Sequence, residues 1–124
     1  MTKASDITPV NCSLYFLPVE TRVPLKFGPE ILTSVTCARV KMSVKKSDGQ
    51  IVDGWGETPL SVQWVWPSQL SYTERHTALK DFCLRLAEAW GRFEHSGHAM
   101  EVGHIFQKDI LPKLEEKIFN FQME

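Results

Sequence analysis

Apolar and polar residues alternate most regularly between positions 37 and 45. The apolar set is Ala38, Val40, Met42 and Val44, and the other set is Cys37, Arg39, Lys41, Ser43 and Lys45. A period of two is typical of a strand with one buried and one wet face. The pattern predicts a strand from about residue 36 to residue 46.

Two flanking segments complete a sheet. Residues 10–17 are rich in strand formers and predict a first strand. A loop follows in this interpretation, because proline cannot donate to the ladder of a central strand. The loop-forming residues are Pro18, Pro24, Gly28 and Pro29. After the alternating strand, Asp48-Gly49 supplies the positive φ angles of a tight hairpin turn, so residues 51–57 return as a third strand.

The period changes to that of a helix in the second half of the chain. Ser71 and Glu74 have the spacing of a capping box, in which the serine side chain bonds the glutamate N–H. Gly91 is the expected C-cap. The apolar stripe between these two ends is Leu79, Phe82, Cys83, Leu86, Ala87 and Trp90. An apolar face at this spacing predicts a helix that covers the sheet.

A second helical pattern covers residues 99–119 and contains Pro112. Its apolar face consists of Val102, Ile105, Phe106, Ile110, Leu114, Ile118 and Phe119. Proline removes a backbone donor and clashes with the preceding turn, so we expect a break or kink near Leu111.

Charge and cysteine usage exclude some classes of function. Lysine and arginine number 14 against 15 acidic residues, which leaves no positive surplus for a nucleic acid. The three cysteines form no C-x-x-C pair and are expected to be packing residues in a reducing cytosol. No apolar stretch suits a signal peptide or a membrane span, so the expected location is the cytoplasm.

A cluster of histidines is the first candidate for chemistry. His95, His98, Glu101 and His104 lie close together in the sequence, but their spacing matches no zinc motif. The favoured interpretation is a polar connection between two helices, and no metal site is expected in this chain.

The loop after the third strand is the second candidate. Trp64 and Trp66 lie two residues apart, outside any helix or strand predicted from the pattern. Aromatic side chains in a loop line a pocket or an interface, or else fold over the sheet as core. The sequence leaves both interpretations open.

Four stretches in order carry a family resemblance: residues 21–28, the strand 36–46, the hairpin leading to residues 54–57, and a helical segment ending near residue 120. In this order they resemble the N-terminal capping domain of the enolase superfamily, in the mandelate racemase and muconate lactonizing enzyme branch. The resemblance implies an α+β fold in a single domain, residues 1–124. A three-stranded antiparallel meander over about residues 8–59 would precede a small helical bundle over about residues 71–121.

The resemblance also implies a function. In that family the cap covers the mouth of a β/α barrel, and the barrel holds Mg²⁺ and the acid/base groups that abstract a proton next to a carboxylate. Two loops of the cap select the substrate, here residues 20–28 and 56–66. The implied contacts with a small carboxylate substrate are Arg22, Lys26, Phe27, Glu57, Trp64 and Trp66. None of them is expected to be catalytic.

The resemblance does not supply the barrel. The sequence ends at Glu124, about where the first barrel strand is expected, so this chain alone is not expected to be an enzyme. Its expected role is the capping domain of a racemase, cycloisomerase or dehydratase, an isomerase or lyase whose partner is the C-terminal barrel. The alternative is a freestanding α+β module for protein interaction or dimerisation, in which a homo-oligomer forms.

Overall fold

A three-stranded antiparallel sheet precedes all the helices in the computed structural model, which describes residues 3–28, 30–62 and 69–116. The strands are β1 (Ile7–Phe27), β2 (Glu30–Lys46) and β3 (Ile51–Pro59), and they lie in the order β1-β2-β3. The helices are α1 (Tyr72–Gly91) and α2 (Ala99–Ile105), followed by a π-helical segment (Phe106–Ile110) and helical residues 111–116. The predicted α+β class with a meander sheet is confirmed.

The first strand is much longer than the sequence predicts, and the loop expected at Pro18 and Pro24 is wrong. β1 continues through both prolines because it is an edge strand, where a residue without an N–H can face away from the neighbouring strand. The register with β2 shifts between Glu20 and Leu25, so the extra residues form a bulge beside Pro24. Residues 18–20 and 25–27 therefore remain paired with β2 on either side of the bulge, where the local signals indicate a break.

The predicted hairpin between β2 and β3 is confirmed. Gly49 has φ 90°, the left-handed region that glycine adopts without strain. The N–H of Gly49 donates to the carbonyl of Lys46 at 2.9 Å, and the N–H of Gln50 donates to Asp48 Oδ1 at 2.9 Å. The sequence predicts positive φ angles for both Asp48 and Gly49. Of the two, only Gly49 has one, since every positive φ among the described residues belongs to a glycine.

α1 begins and ends close to the predicted residues. Ser71 is the N-cap, and its Oγ accepts a hydrogen bond from the N–H of Glu74 at 3.1 Å. At the other end Gly91 is the last helical residue, and the C-cap is Arg92, whose N–H donates to the carbonyl of Ala89 at 3.2 Å. The predicted glycine cap is therefore wrong by one position.

α1 packs on the β1 side of the sheet. The N–H of Cys12 on β1 lies 3.9 Å from the position that a Cβ atom on Gly91 would occupy. Nearer the helix start, Lys80 Nζ lies 4.9 Å from the centroid of the Phe16 ring. The predicted apolar stripe faces the sheet but is only half-buried, and α1 has no fully buried residue. One helix cannot cover the width of three strands.

An aromatic cluster joins α1 to the second helical region. The rings of Trp90 and Phe106 stack with centroids 3.9 Å apart, and Phe93 meets both rings edge-on at 5.6 and 5.4 Å. Burial of large aromatic rings is the largest apolar contribution available to a small domain. Among the described residues, the buried apolar side chains are Cys37, Ala38, Leu60, Val62, Val102 and Phe106.

The irregularity expected near Leu111 takes the form of a π-helical segment. α2 ends at Ile105, the π-helical segment spans Phe106–Ile110, and helical geometry resumes at residues 111–116. Pro112 cannot donate to the carbonyl four residues earlier, and a widened turn before it relieves the clash of its ring. The chain therefore changes its helical pitch here instead of breaking into two separated helices.

The N-cap of α1 gives a direct test of local stability. We expect Ser71→Ala to lower the free energy of unfolding by about 1 kcal/mol, because the N–H of Glu74 loses its acceptor. Ser71→Asp keeps an acceptor at the same place and is expected to stay within about 0.5 kcal/mol of the parent. Urea denaturation followed by circular dichroism measures both. Equal losses in the two variants would contradict the capping role.

Candidate functional site

The β1–β2 ribbon extends well beyond the third strand. β3 pairs with β2 only from Cys37 to Lys45, so residues 18–27 of β1 and 30–36 of β2 form a two-stranded arm without a third strand. The arm turns at Gly28, which has φ 59°. It carries four exposed large apolar side chains: Val19, Val23, Leu25 and Ile31, with exposed fractions of 40, 65, 50 and 58%. The arm is therefore a projecting ribbon with exposed apolar side chains.

The exit of β3 lies at the same end of the sheet as the arm. Pro59 pairs with Cys37, and the N–H of Leu60 donates to the carbonyl of Thr36, where the arm begins. The described parts of the two loops that the family resemblance assigns to the substrate, residues 20–28 and 56–62, therefore lie toward the same end of the sheet. Residues 63–66 of the second loop lie outside the described residues. An arrangement at opposite ends would have contradicted that assignment.

Two cations on the arm are among the predicted contacts. Arg22 lies in the bulge of β1, and Lys26 pairs with Ile31 close to the tip. Both side chains are exposed, and neither forms a salt bridge within the described part of the chain. The backbone of Phe27 pairs with Glu30 at the tip, but its side chain lies outside the described residues, as do Trp64 and Trp66.

Glu57 does not share a site with the tip of the arm. Its carboxylate accepts from Arg39 Nε at 2.8 Å, across the β2–β3 pair. Glu57 pairs with Arg39 of β2, and Lys26 pairs with Ile31 of the same strand. At about 3.3 Å per residue, Arg39 and Ile31 are about 26 Å apart along β2. One small substrate cannot contact Glu57 and Lys26 together, so the predicted set divides into two regions.

The sheet face opposite α1, called the open face, carries an aromatic pair that sequence reasoning missed. Tyr15 and Trp55 stack at a centroid distance of 6.1 Å and are 44 and 62% exposed. A shallow cleft of about 350 Å³ lies beside Trp55 and includes Arg39 and Glu57. The signal was weak because the odd-numbered positions of both strands mix polar and apolar residues, so neither strand shows which face its ring occupies. Tyr15 pairs with Arg39 and Trp55 pairs with Lys41, so their proximity depends on the register in which β2 holds β1 and β3.

A polar row lies beside this pair on the open face. Ser43 Oγ donates to Asp53 Oδ1 at 2.6 Å, and the Arg39–Glu57 salt bridge lies further along the same two strands. Opposite charges in cross-strand positions stabilise sheet pairing by a few tenths of a kcal/mol, up to about 1 kcal/mol. The acidic groups of β3 are therefore already engaged within the chain.

The cysteines are packing residues in the structure, as the sequence predicts. Burial raises the pKa of Cys12, Cys37 and Cys83, and the neighbouring Glu57 carboxylate raises the pKa of Cys37 further. A raised pKa keeps each group in its thiol form near neutral pH, and the thiol is the unreactive form. All three are free cysteines.

The histidines also have structural partners. His98 is the N-cap of α2, where its Nδ1 accepts from the N–H of Met100 at 3.2 Å. The His95 ring stacks on Phe93 at 5.8 Å. Across residues 3–28, 30–62 and 69–116, no group of three or more histidine, cysteine or acidic residues could hold a metal ion. Of the four residues considered in the sequence, His95 and His98 lie in the connection between α1 and α2, whereas Glu101 and His104 lie in α2 itself.

The helix side of the sheet has two adjoining apolar clefts. One of about 360 Å³ and one of about 320 Å³ share Met42 and Trp90, and they extend along Gly54 and Gly56 of β3. No atom lies within 4 Å of a Cβ built on either glycine. The clefts exist because α1 lies over β1, which leaves the β3 side of this face uncovered.

No family model, curated protein or solved structure matches this chain. In the part of the chain that the structure describes, no helix is long and apolar enough to cross a membrane.

The stability of the chain should depend on pH through His76. Its Nε2 is buried without a hydrogen-bond partner, and its ring stacks on Tyr72 at 5.5 Å. Burial lowers the pKa of His76 from its ordinary value of 6.5, and the Lys80 charge lowers it further. The unfolded chain therefore binds the proton more tightly, so stability falls as the pH drops below 6.5 and levels off below the folded-state pKa.

We expect His76→Phe to keep the ring stack and to remove this part of the pH dependence. The measurement is the free energy of unfolding in urea at pH 5 and pH 7.5, with exposed His104→Phe as the matched control. The loss of stability at pH 5 should be smaller in His76→Phe than in the parent or the control. The same loss in all three proteins would exclude His76 as the source.

Proposed function

We propose that this chain is the substrate-capping domain of a magnesium-dependent barrel enzyme of the enolase superfamily, of the racemase, cycloisomerase or dehydratase type. The observation that carries the proposal is the arm, which projects from the sheet at the end where β3 also exits. A lid requires such an arrangement, because its substrate-facing loops must reach the same chamber. The order of a meander sheet followed by helices supports the same family.

The arm needs a surface to cover it. An isolated two-stranded hairpin is marginally stable in water. The four exposed apolar residues of the arm add surface that favours burial by about 25 cal/mol per Å². Packing against the mouth of a barrel would bury these side chains and hold the arm in one conformation. Binding and stabilisation of the arm are therefore the same event in this proposal.

Two cations of the arm are the proposed contacts with an anionic substrate. Arg22 and Lys26 place two positive charges on the arm, which also carries the exposed carboxylates of Glu20 and Glu30. When the arm closes, water is displaced and each charge interacts more strongly with a carboxylate. The lid binds, orients and excludes water, whereas Mg²⁺ and the proton-transfer groups belong to the barrel. The proposed setting is the cytosol, where the three free thiols remain reduced.

Kinetics of the assembled enzyme, this chain together with its barrel, test the role of the arm. We expect Arg22→Ala and Lys26→Ala to raise KM for a carboxylate substrate about tenfold each, because a charge-assisted contact is lost. Turnover can be followed as exchange of the proton next to the carboxylate in deuterated water, across a panel of 2-hydroxy acids. The matched control is Lys45→Ala, an exposed lysine at the far end of β2.

Two outcomes would contradict the lid. An unchanged KM in both arm variants would remove the substrate contact. Equal effects of Lys45→Ala and Lys26→Ala would show a general loss of charge. The Arg22 and Lys26 variants should also keep the circular dichroism spectrum of the parent, since both side chains are exposed.

The second candidate is a freestanding module for protein interaction, and the open face favours it. Tyr, Trp and Arg are the residue types that dominate binding energy at protein interfaces, and Tyr15, Trp55 and Arg39 lie together here. Trp55→Ala distinguishes the two functions. A lid tolerates it without a change in KM, because Trp55 is remote from the tip of the arm, whereas an interaction module loses partner binding.

A further inference from the structure

The two edges of the sheet are built differently. The β1 edge contains Pro9, Pro18 and Pro24 and two register shifts, all of which hinder the pairing of another strand. Its first residue is already bridged: Ile7 and Gly97 exchange backbone hydrogen bonds of 2.9 and 3.1 Å. Natural proteins protect exposed strand edges by such means. The β1 edge is therefore protected.

The β3 edge has no register shift and no proline before its last residue. Its pairing with β2 continues without a register shift from Ile51 to Pro59, all nine residues are exposed, and proline occurs only at the last position. β3 contains no lysine or arginine, and its two carboxylates are engaged by Arg39 and Ser43 of β2. An edge of this length without protection is a site for strand addition.

The hydrogen-bond pattern shows which groups are available at this edge. The N–H of Leu60 donates to Thr36, and the carbonyl of Gln50 accepts from Lys46, each at 2.8 Å. Because the bonding direction alternates along an antiparallel strand, even-numbered residues of β3 bond to β2. The N–H and C=O groups of four odd-numbered residues therefore point outward: Ile51, Asp53, Trp55 and Glu57.

We propose that this edge pairs with β3 of a second copy of the chain, antiparallel and about a two-fold axis through Gly54, to form a continuous six-stranded sheet. In this register Asp53 faces the partner's Trp55, and Ile51 faces the partner's Glu57. All four outward residues then form their bonds, about eight in total across the axis. The inference goes beyond the lid proposal, since it uses the side of the sheet and leaves the arm free.

The charges on β3 and the position of Pro59 favour this register over registers with the axis at Trp55 or Gly56. An axis through Trp55 would place Asp53 opposite the partner's Glu57, and like charges in directly opposed positions destabilise the pair. An axis through Gly56 would place Asp53 opposite the partner's Pro59, which has no N–H to donate. The Gly54 register avoids both problems. It also places Val52 opposite the partner's Gly56, where no atom lies within 4 Å of the absent Cβ.

Two substitutions at one exposed position test the dimer and its register. Ile51 is 59% exposed and pairs with Lys45 of β2, so Ile51→Glu and Ile51→Lys should keep the fold and change the free energy of unfolding by no more than about 1 kcal/mol, in opposite directions. In the proposed dimer Ile51→Glu creates two like-charge pairs with the partner's Glu57, whereas Ile51→Lys creates two opposite-charge pairs. Sedimentation velocity of the 124-residue chain over about 5 to 500 μM measures the dissociation constant of each.

We expect a concentration-dependent dimer for the parent, and a dissociation constant about tenfold or more higher for Ile51→Glu than for Ile51→Lys. The contrast should shrink in high salt, because exposed charges are screened. A parent chain that is monomeric throughout the range would overturn the proposal. A dimer with equal affinity in both variants would also overturn it, because the axis would then lie elsewhere. Circular dichroism of each variant establishes that the monomer is folded.

Discussion

The pairing of β2 with a strand on each side is the interaction on which the rest of the structure depends. β2 aligns the apolar residues of β1 and β3 on one face and holds Tyr15 and Trp55 within stacking distance on the other. It also carries half of the arm. Any change in the register of β2 by one residue would exchange the two faces of the sheet, because side chains alternate with a period of two.

The cover of this sheet is asymmetric, and the asymmetry explains the exposed surfaces. α1 lies over β1, so its apolar stripe is half-buried and the β3 side retains two clefts. β3 has glycines where large side chains would otherwise fill that space. The clefts are thus consequences of a helical layer narrower than the sheet, whereas the arm exists because β3 is shorter than β1 and β2, and β3 is an edge because of the strand order. They occupy different parts of the molecule, so a partner at the arm does not compete with one at the β3 edge.

The candidate site could be predicted from the sequence only in part. The two cations of the arm, Arg22 and Lys26, are found by following the loop residues that the family resemblance assigns. The family resemblance groups Glu57 with the substrate contacts because it lies beside a loop in the sequence. The pairing of β3 with β2 instead places Glu57 opposite Arg39, far from the tip of the arm. The Tyr15–Trp55 pair joins residues forty positions apart across an intervening strand, and no local pattern contains that information.

Local chemistry by itself determined the alternating strand, the Gly49 hairpin, the Ser71 cap and the irregularity before Pro112. In each case the physical cause lies within a few residues: side-chain alternation, a positive φ, a hydroxyl acceptor or a missing N–H. Tertiary structure decided that β1 continues through Pro18 and Pro24, that α1 covers only one side of the sheet, and which strand edge is open. These features depend on which strand lies beside which, and an edge position removes the penalty that proline carries at the centre of a sheet.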